Sequence, residues 1–227
     1  MICIPVRDGK PEEPESLRYV LRSIAQHLPD ETPVLCGHRP DWYTGEHIPT
    51  VQDSPERHGN MGINLQAAAS TFDTFVWWSD DVYLLKDSEP TVYARPETVD
   101  HVLARVPEIP WKRTFRSQVA ILKAWGFDTS TLLCSESHHP MLMDSVRLRD
   151  MLDTITRDFP THPLGQIKGL YAAGLDVTPS VDPKVVYPLK GINPDAVYLS
   201  TSPVTFRQGL AGRELRALFP HPCKYER

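Results

Sequence analysis

Asp80 and Asp81 stand side by side in the run Phe75-Val-Trp-Trp-Ser-Asp-Asp-Val-Tyr-Leu-Leu85. Two carboxylates forced together repel, and both stay ionised only when a cation compensates them. A hard divalent ion with oxygen ligands, Mg2+ or Mn2+, is the natural partner. The same pair also suits a solvated turn after a strand. Other side chains with chemical reach precede it: Arg7 with Asp8, the turn Gly37-His38-Arg39, then Asp53 and Asn60. Glu136, His139, Asp144, Arg116 and Lys168 follow it.

These residues need elements to bring them together. Ile2 to Val6 reads as a strand with Arg7 and Asp8 at its carboxyl end. From Pro14 the apolar positions Leu17, Val20, Leu21, Ile24 and Leu28 recur at helical steps, and Pro29 ends them. Val34 to Cys36 is a second strand, and strand, helix and strand at this spacing make a parallel crossover unit. Ile48 to Val51 reads as a third strand. Asn60 is placed to N-cap a helix through Ser70, while Asn64 reads as a helix-surface hydrogen-bonding residue. The aromatic run before Asp80 is a fourth, buried strand. In a parallel sheet the carboxyl ends converge on one edge, where open α/β sheets bind ligands. Arg7 and Asp8, Gly37, Asp53, Asn60, Asp80 and Asp81 would there offer acceptors for a ribose, a cation for a diphosphate and a metal site. Arg7 alternatively forms a surface ion pair.

Past residue 85 the pattern predicts helices over 96–106 and 112–125, a short strand at 132–134 and a helix through Leu148, Leu152, Ile155 and Phe159. Late strands at 181–187 and 196–199 and a helix over 212–219 complete the chain. No Gly-rich dinucleotide or phosphate-binding loop is present.

The 227 residues, 41% hydrophobic, suffice for one large domain with a real core. With 29 acidic against 24 basic residues the net charge is -5, which gives no average footprint for non-specific nucleic-acid binding. Cys3, Cys36, Cys134 and Cys223 form no metal-type pair, and Cys3 and Cys36 sit in strand-like runs as small hydrophobes. No stretch approaches the ~20 apolar residues of a membrane span, and Met1 to Val6 is too short an apolar run for a signal peptide. These features predict a cytoplasmic protein.

Several pieces, in order, resemble a family. They are I-P-V-R-D, S-L-R-Y-V-L-R-S-I, G-H-R-P-D-W, W-S-D-D-V-Y-L-L, H-H-P-M and Y-L-S-T…F-P-H-P-C-K-Y-E. The set is similar to small GT-A-type glycosyltransferases of phages and bacteria, and H-H-P-M loosely resembles the H-x-P signature of Stealth-like capsule-sugar transferases. Here Ser-Asp-Asp stands where the general pattern is Asp-x-Asp. The resemblance implies a GT-A-like α/β domain with a mainly parallel central sheet flanked by helices. Residues 1–85 would form its nucleotide-sugar half and residues 86–227 its acceptor side. It implies a nucleotide-sugar donor, UDP-sugar first, and a divalent ion, Mn2+ or Mg2+. Asp81 would bind the metal and Asp80 would position metal or ribose.

His139, before a proline, completes the metal shell, contacts the diphosphate or packs in its loop. Glu136 or Asp144 would serve as base for an acceptor hydroxyl in an inverting reaction. Arg116 and Lys168 would bind diphosphate or acceptor, unless Arg116 lies on a solvated helix face. Trp42, Trp77, Trp78 and Trp111 are sugar platforms by type, Trp42 foremost. The acceptor is a surface glycan or a hydroxymethylated base in phage DNA, the latter through Arg113, Arg116, Lys123, Arg147 and Arg149. A metal-dependent nuclease or phosphoesterase, or a non-catalytic nucleotide-sugar-binding module, are the alternatives.

Overall fold

The computed structural model describes residues 1–7, 15–54, 57–162, 167–185, 187 and 189–227. In chain order the elements begin β1 (Ile2–Val6), α1 (Glu15–His27), β2 (Pro33–Gly37), β3 (Glu46–Ile48), α2 (Arg57–Thr71), β4 (Thr74–Trp77) and β5 (Val82–Leu84). There follow β6 (Tyr93–Ala94), α3 (Val99–Arg105), α4 (Pro110–Ala124), β7 (Met141–Asp144), α5 (Ser145–Asp158) and α6 (Lys168–Ala172). Last come β8 (Thr178–Pro179), β9 (Lys184–Val185), β10 (Tyr198–Thr201), α7 (Pro203–Gln208) and α8 (Leu210–Leu218).

The central sheet runs β3-β2-β1-β4-β7. β3, β2, β1 and β4 are parallel, and β7 closes the edge antiparallel to β4. The protein is thus a mixed α/β fold with a mainly parallel central sheet and flanking helices. Period-two alternation sorts the side chains of the inner strands. Ile2, Ile4, Val6, Val76 and Trp78 enter one apolar cluster with Leu17, Leu21 and Ile24 of α1 and Leu215 of α8. Cys3, Cys36, Phe75 and Trp77 enter the other with Leu65 of α2, Phe115 of α4 and Leu148 of α5. Cys3 and Cys36 are buried free thiols, packed as small hydrophobes.

A second sheet, β5-β10-β9, pairs residues just past the acidic turn with the late strands. Strands from both halves of the chain therefore share both sheets. Residues near 226 also return to the first third. Tyr43 forms a β-bridge with Glu226, whose side chain is 1% exposed and receives Arg22 Nε at 2.7 Å and Arg18 at 3.2 Å. Among the described residues no helix is long and apolar enough to cross a membrane.

Several elements depart from the sequence reading. The third strand ends at Ile48, so residues 49–51 continue as loop. Residues 132–134 contribute only the bridge Thr98↔Leu133. The late strand at 181–187 contracts to Lys184–Val185 among the described residues. Helix α2 starts ahead of Asn60, which lies inside it rather than at its cap.

Candidate functional site

In the order β3-β2-β1-β4 the chain winds outward from β1 in one direction and resumes with β4 on its other side. The switch point lies between the carboxyl ends of β1 and β4, where open α/β sheets form a ligand crevice. A cavity of about 590 Å3 opens there. Pro5 and Arg7 line it from β1, Ser79, Asp80 and Asp81 from the turn after β4, and Asn60 and Asn64 from α2. Arg95, Trp111, Glu136, His138, Lys168 and Lys184 face it from the later chain.

The acidic turn is built by its neighbours. Val82 N donates to Ser79 O at 3.2 Å, which places Asp80 and Asp81 at the centre of a β-turn. The Trp78 indole Nε1 donates to Val82 O at 2.7 Å and clamps that turn from the core. Thr201 N of β10 donates to Asp81 O at 3.2 Å. The Asp81 carboxylate then meets a cation of the chain itself, since Lys184 Nζ donates to Oδ2 at 2.6 Å. Lys184 Nζ also donates to Ser200 Oγ at 3.1 Å and Thr201 O at 2.8 Å. The sequence assigned a divalent ion as the partner of both acids; for Asp81 an ammonium group from β9 holds one oxygen.

From Lys184 the polar network continues. Its backbone N donates to Asp182 Oδ1 at 3.1 Å. His138 Nδ1 donates to the same carboxylate, 3.0 Å from Oδ1 and 3.2 Å from Oδ2. Arg95 forms an ion pair with Asp182 Oδ2 and donates through Nε to Glu136 O at 2.8 Å. Burial pushes the Asp182 carboxyl upward, but the hydrogen bond from His138 and the nearby Arg95 guanidinium hold it well below the usual carboxylate range. An ionised acceptor at Nδ1 fixes that nitrogen as the protonated one. His138 lines the cavity, and among the described residues its hydrogen bonds run through Nδ1 and the backbone N to Asp182.

Of the residues singled out from the sequence, the cavity gathers Arg7, Asn60, Asp80, Asp81, Glu136 and Lys168. Some of these have structural duties. Asn60 Oδ1 accepts from Ser54 N at 3.0 Å and its Nδ2 donates to Ser54 O at 3.1 Å, which ties down the preceding loop. Glu136 Oε1 accepts from Gln118 Nε2 at 2.6 Å and Gly169 N at 3.0 Å, joining α4 to α6. Lys168 Nζ donates to Ser137 O at 3.1 Å and His139 O at 2.7 Å, and burial lowers its pKa.

The remaining candidates lie elsewhere. His139 is not placed as a metal ligand. Its ring is buried and stacked on Tyr93 at 4.6 Å, with Nδ1 3.1 Å from Ser137 Oγ and Nε2 3.1 Å from Ser180 Oγ. Burial pushes its pKa down to about 4, so the ring is neutral near pH 7. Asp144 N-caps α5, accepting from Arg147 N at 2.8 Å, and pairs opposite Thr74 at the amino end of β4. That is the sheet edge away from Asp80 and Asp81. Arg116 is half-exposed on α4 and paired with Glu108. Asp53 is exposed and does not line the cavity. Gly37 serves the backbone: at φ 105° its absent Cβ leaves room for Gln52 Nε2 and Val6 O, and its own O receives His47 Nε2 at 2.6 Å. Asp8 lies outside the described residues. Trp42 is buried beneath the Arg18 guanidinium, 4.1 Å above its ring, so it is no open platform; Trp111, stacked on Phe115, does face the cavity.

Sequence reasoning missed His138, Asp182, Lys184 and Arg95. The H-H-P pair drew attention to His139, whereas it is His138 that lines the cavity. No local pattern marks Asp182 or Lys184, since each acquires its partner only through the fold.

Compared with protein-family models and with curated proteins, the chain gives no match. Among solved structures it is similar, at 13% identity, to one described as a glycosyltransferase involved in the glycosylation of the major capsid of PBCV-1. The alignment covers 97% of this chain and 98% of that one with a TM-score of 0.42, a likeness too distant to assign an activity.

Proposed function

We propose that the protein is a glycosyltransferase that moves a sugar from a nucleotide-sugar donor, a UDP-sugar first, to a hydroxyl of an acceptor glycan. The observation that carries this reading is the crevice at the β1/β4 switch point. There the adjacent carboxylates Asp80 and Asp81 and the cations Arg7 and Lys184 line one cavity roomy enough for a nucleotide and a sugar. Arg7 offers positive charge to a diphosphate, and Lys184 would add its own once a metal ion took over Asp81. Trp111 offers an aromatic face to an apolar sugar surface.

The donor set fits Mn2+ or Mg2+ in one specific way. Among the described residues no three His, Cys, Asp or Glu side chains form a metal-holding group, so the chain supplies no closed cage. Ions of this kind are commonly held by one or two carboxylates together with substrate phosphates, and Asp80 and Asp81 can provide that pair. When bound, the ion would stabilise negative charge on the departing diphosphate. Lys184 neutralises Asp81 in the meantime and limits the repulsion between the two acids.

A glycan is favoured over modified DNA as acceptor by the fate of most of the basic residues, Arg113 being exposed on α4. Lys112 and Arg116 pair with Glu108, Arg147 donates to Tyr171 O and Ala173 O, Arg149 donates to Ala69 O, and Lys123 pairs with Asp100. Cations spent this way offer little to a phosphate backbone. The test is a screen of nucleotide sugars with Mn2+, with mass analysis of acceptors and a salt series. Transfer to a soluble glycan with little salt dependence supports the reading. Transfer only to DNA, falling steeply with salt, would move the acceptor to nucleic acid. A protein that leaves every sugar donor intact yet cleaves phosphodiesters would instead be a nuclease.

A further inference from the structure

We propose that His138, oriented by Asp182, is the general base that activates the acceptor hydroxyl, and that the transfer therefore inverts the anomeric centre. This rests on the glycosyltransferase reading above.

A base for this reaction needs three things: a lone pair facing the reacting groups, a fixed tautomer and somewhere for the resulting charge to be stabilised. His138 lines the same cavity as Asp80 and Asp81, has its Nδ1 on a carboxylate and has that carboxylate to stabilise the charge. Its Nδ1 is committed to both oxygens of Asp182, at 3.0 and 3.2 Å, so Nε2 carries the lone pair. The Asp182 side chain is 11% exposed against 38% for His138, which sets the carboxylate behind the imidazole. Asp182 is itself fixed by the Arg95 guanidinium and by Lys184 N, so it can hold the ring and stabilise an imidazolium without moving. The same backbone link through Lys184 joins the dyad to Asp81, so base and acidic turn belong to one rigid network.

The carboxylates named from the sequence serve less well. Glu136 already accepts two hydrogen bonds through one oxygen, and Asp144 is on the opposite sheet edge. His139 has both nitrogens on hydroxyls.

In the step itself, Nε2 takes the proton of the acceptor hydroxyl while its oxygen bonds to the anomeric carbon. The bond from that carbon to the donor phosphate breaks, and its electron pair leaves with the diphosphate. The proton passes from His138 to solvent afterwards. Attack opposite the leaving group inverts the centre. His138 is bonded to Asp182 and shares the cavity with Arg7, Asp80, Asp81, Arg95, Glu136, Lys168 and Lys184, with His139 neutral beside it.

The test uses the full chain with the donor and acceptor found in the screen. His138→Gln should lower kcat by about 100-fold or more while the donor Kd stays within about threefold. The wild type should lose kcat/KM on the acid side, and the variant should not. His138→Gly should recover activity with added imidazole, and Asp182→Asn should lower kcat in the same direction. NMR of the first-formed product should show inverted configuration. Retention of configuration would overturn the proposal, as would a His138→Gln enzyme with wild-type kcat. A wild type that neither binds a nucleoside diphosphate nor transfers any sugar would overturn the transferase reading, and the base with it.

Discussion

Lys184 reaches back across 103 residues to place its ammonium 2.6 Å from the Asp81 carboxylate. Both side chains are largely shielded, at 20% and 25% exposure, so the pair is a structural ion pair at the floor of the cavity rather than a loose surface contact. It joins the turn after β4 to the second sheet. It also changes what each of the two residues should do when replaced.

For Lys184→Ala, the Asp81 carboxylate loses its partner and three donated hydrogen bonds vanish. The expected cost is about 1–3 kcal/mol. Added Mn2+ should then raise the melting temperature more in the variant than in the wild type, because the ion no longer competes with an ammonium for Asp81. Thermal melts with and without Mn2+ measure this. An equal rise in both proteins would place the ion elsewhere.

Asp81→Ala should abolish transfer. Repulsion from Asp80 alone predicts that stability holds or rises, but the structure reverses that expectation. Lys184 would keep only Ser200 Oγ and Thr201 O as acceptors, so unfolding free energy should drop by about 1–3 kcal/mol. Urea titration decides the sign, and a folded variant with full activity would remove Asp81 from the site.

His139 should govern acid stability. Its folded pKa of about 4 is below the ordinary histidine value. As pH falls from about 6.5, the unfolded chain binds a proton that the folded chain resists, so stability rises with pH across this window. The contribution is fully present above about pH 6.5 and is lost by about pH 4, with a size of about 3 kcal/mol. His139→Gln should flatten that part of the profile relative to wild type, as read by denaturant unfolding at several pH values. Parallel profiles would mean that the ring protonates freely in the fold.

Glu136→Gln should retain transfer within about threefold, whereas a catalytic base would lose about 100-fold. Glu136→Ala should instead lower stability by about 1–3 kcal/mol, since Gln118 and Gly169 N lose their shared acceptor. Comparing kcat and unfolding free energy for the two variants separates the roles.

The strongest signals in the sequence were the local ones. The strands β1, β2 and β4 and the helix α1 follow from apolar periodicity, and the paired acids after β4 stand out as neighbours in the chain. β7 was not visible, because Met141–Asp144 becomes a strand only by lying against β4. Helix α7, six residues long, is too short to show a helical period. The His138–Asp182 contact spans 44 residues, and no spacing in the sequence encodes it. Which histidine of the pair faces the cavity is decided by the backbone of that loop. There the Lys168 ammonium draws in the carbonyls of Ser137 and His139, and the His139 ring settles against Tyr93.

Glu226 bears on how the chain is made. Its contact with Arg22 is 204 residues long, and it seals the face of α1 beside Trp42. A ribosome making this chain has delivered β1, α1, β2 and β4 well before that carboxylate emerges. During synthesis, then, the aromatic flank of α1 stays open to solvent and to other nascent chains. Pairings of this length raise the contact order of the fold and slow folding as a whole, because the cost of a long loop is met before its contacts form.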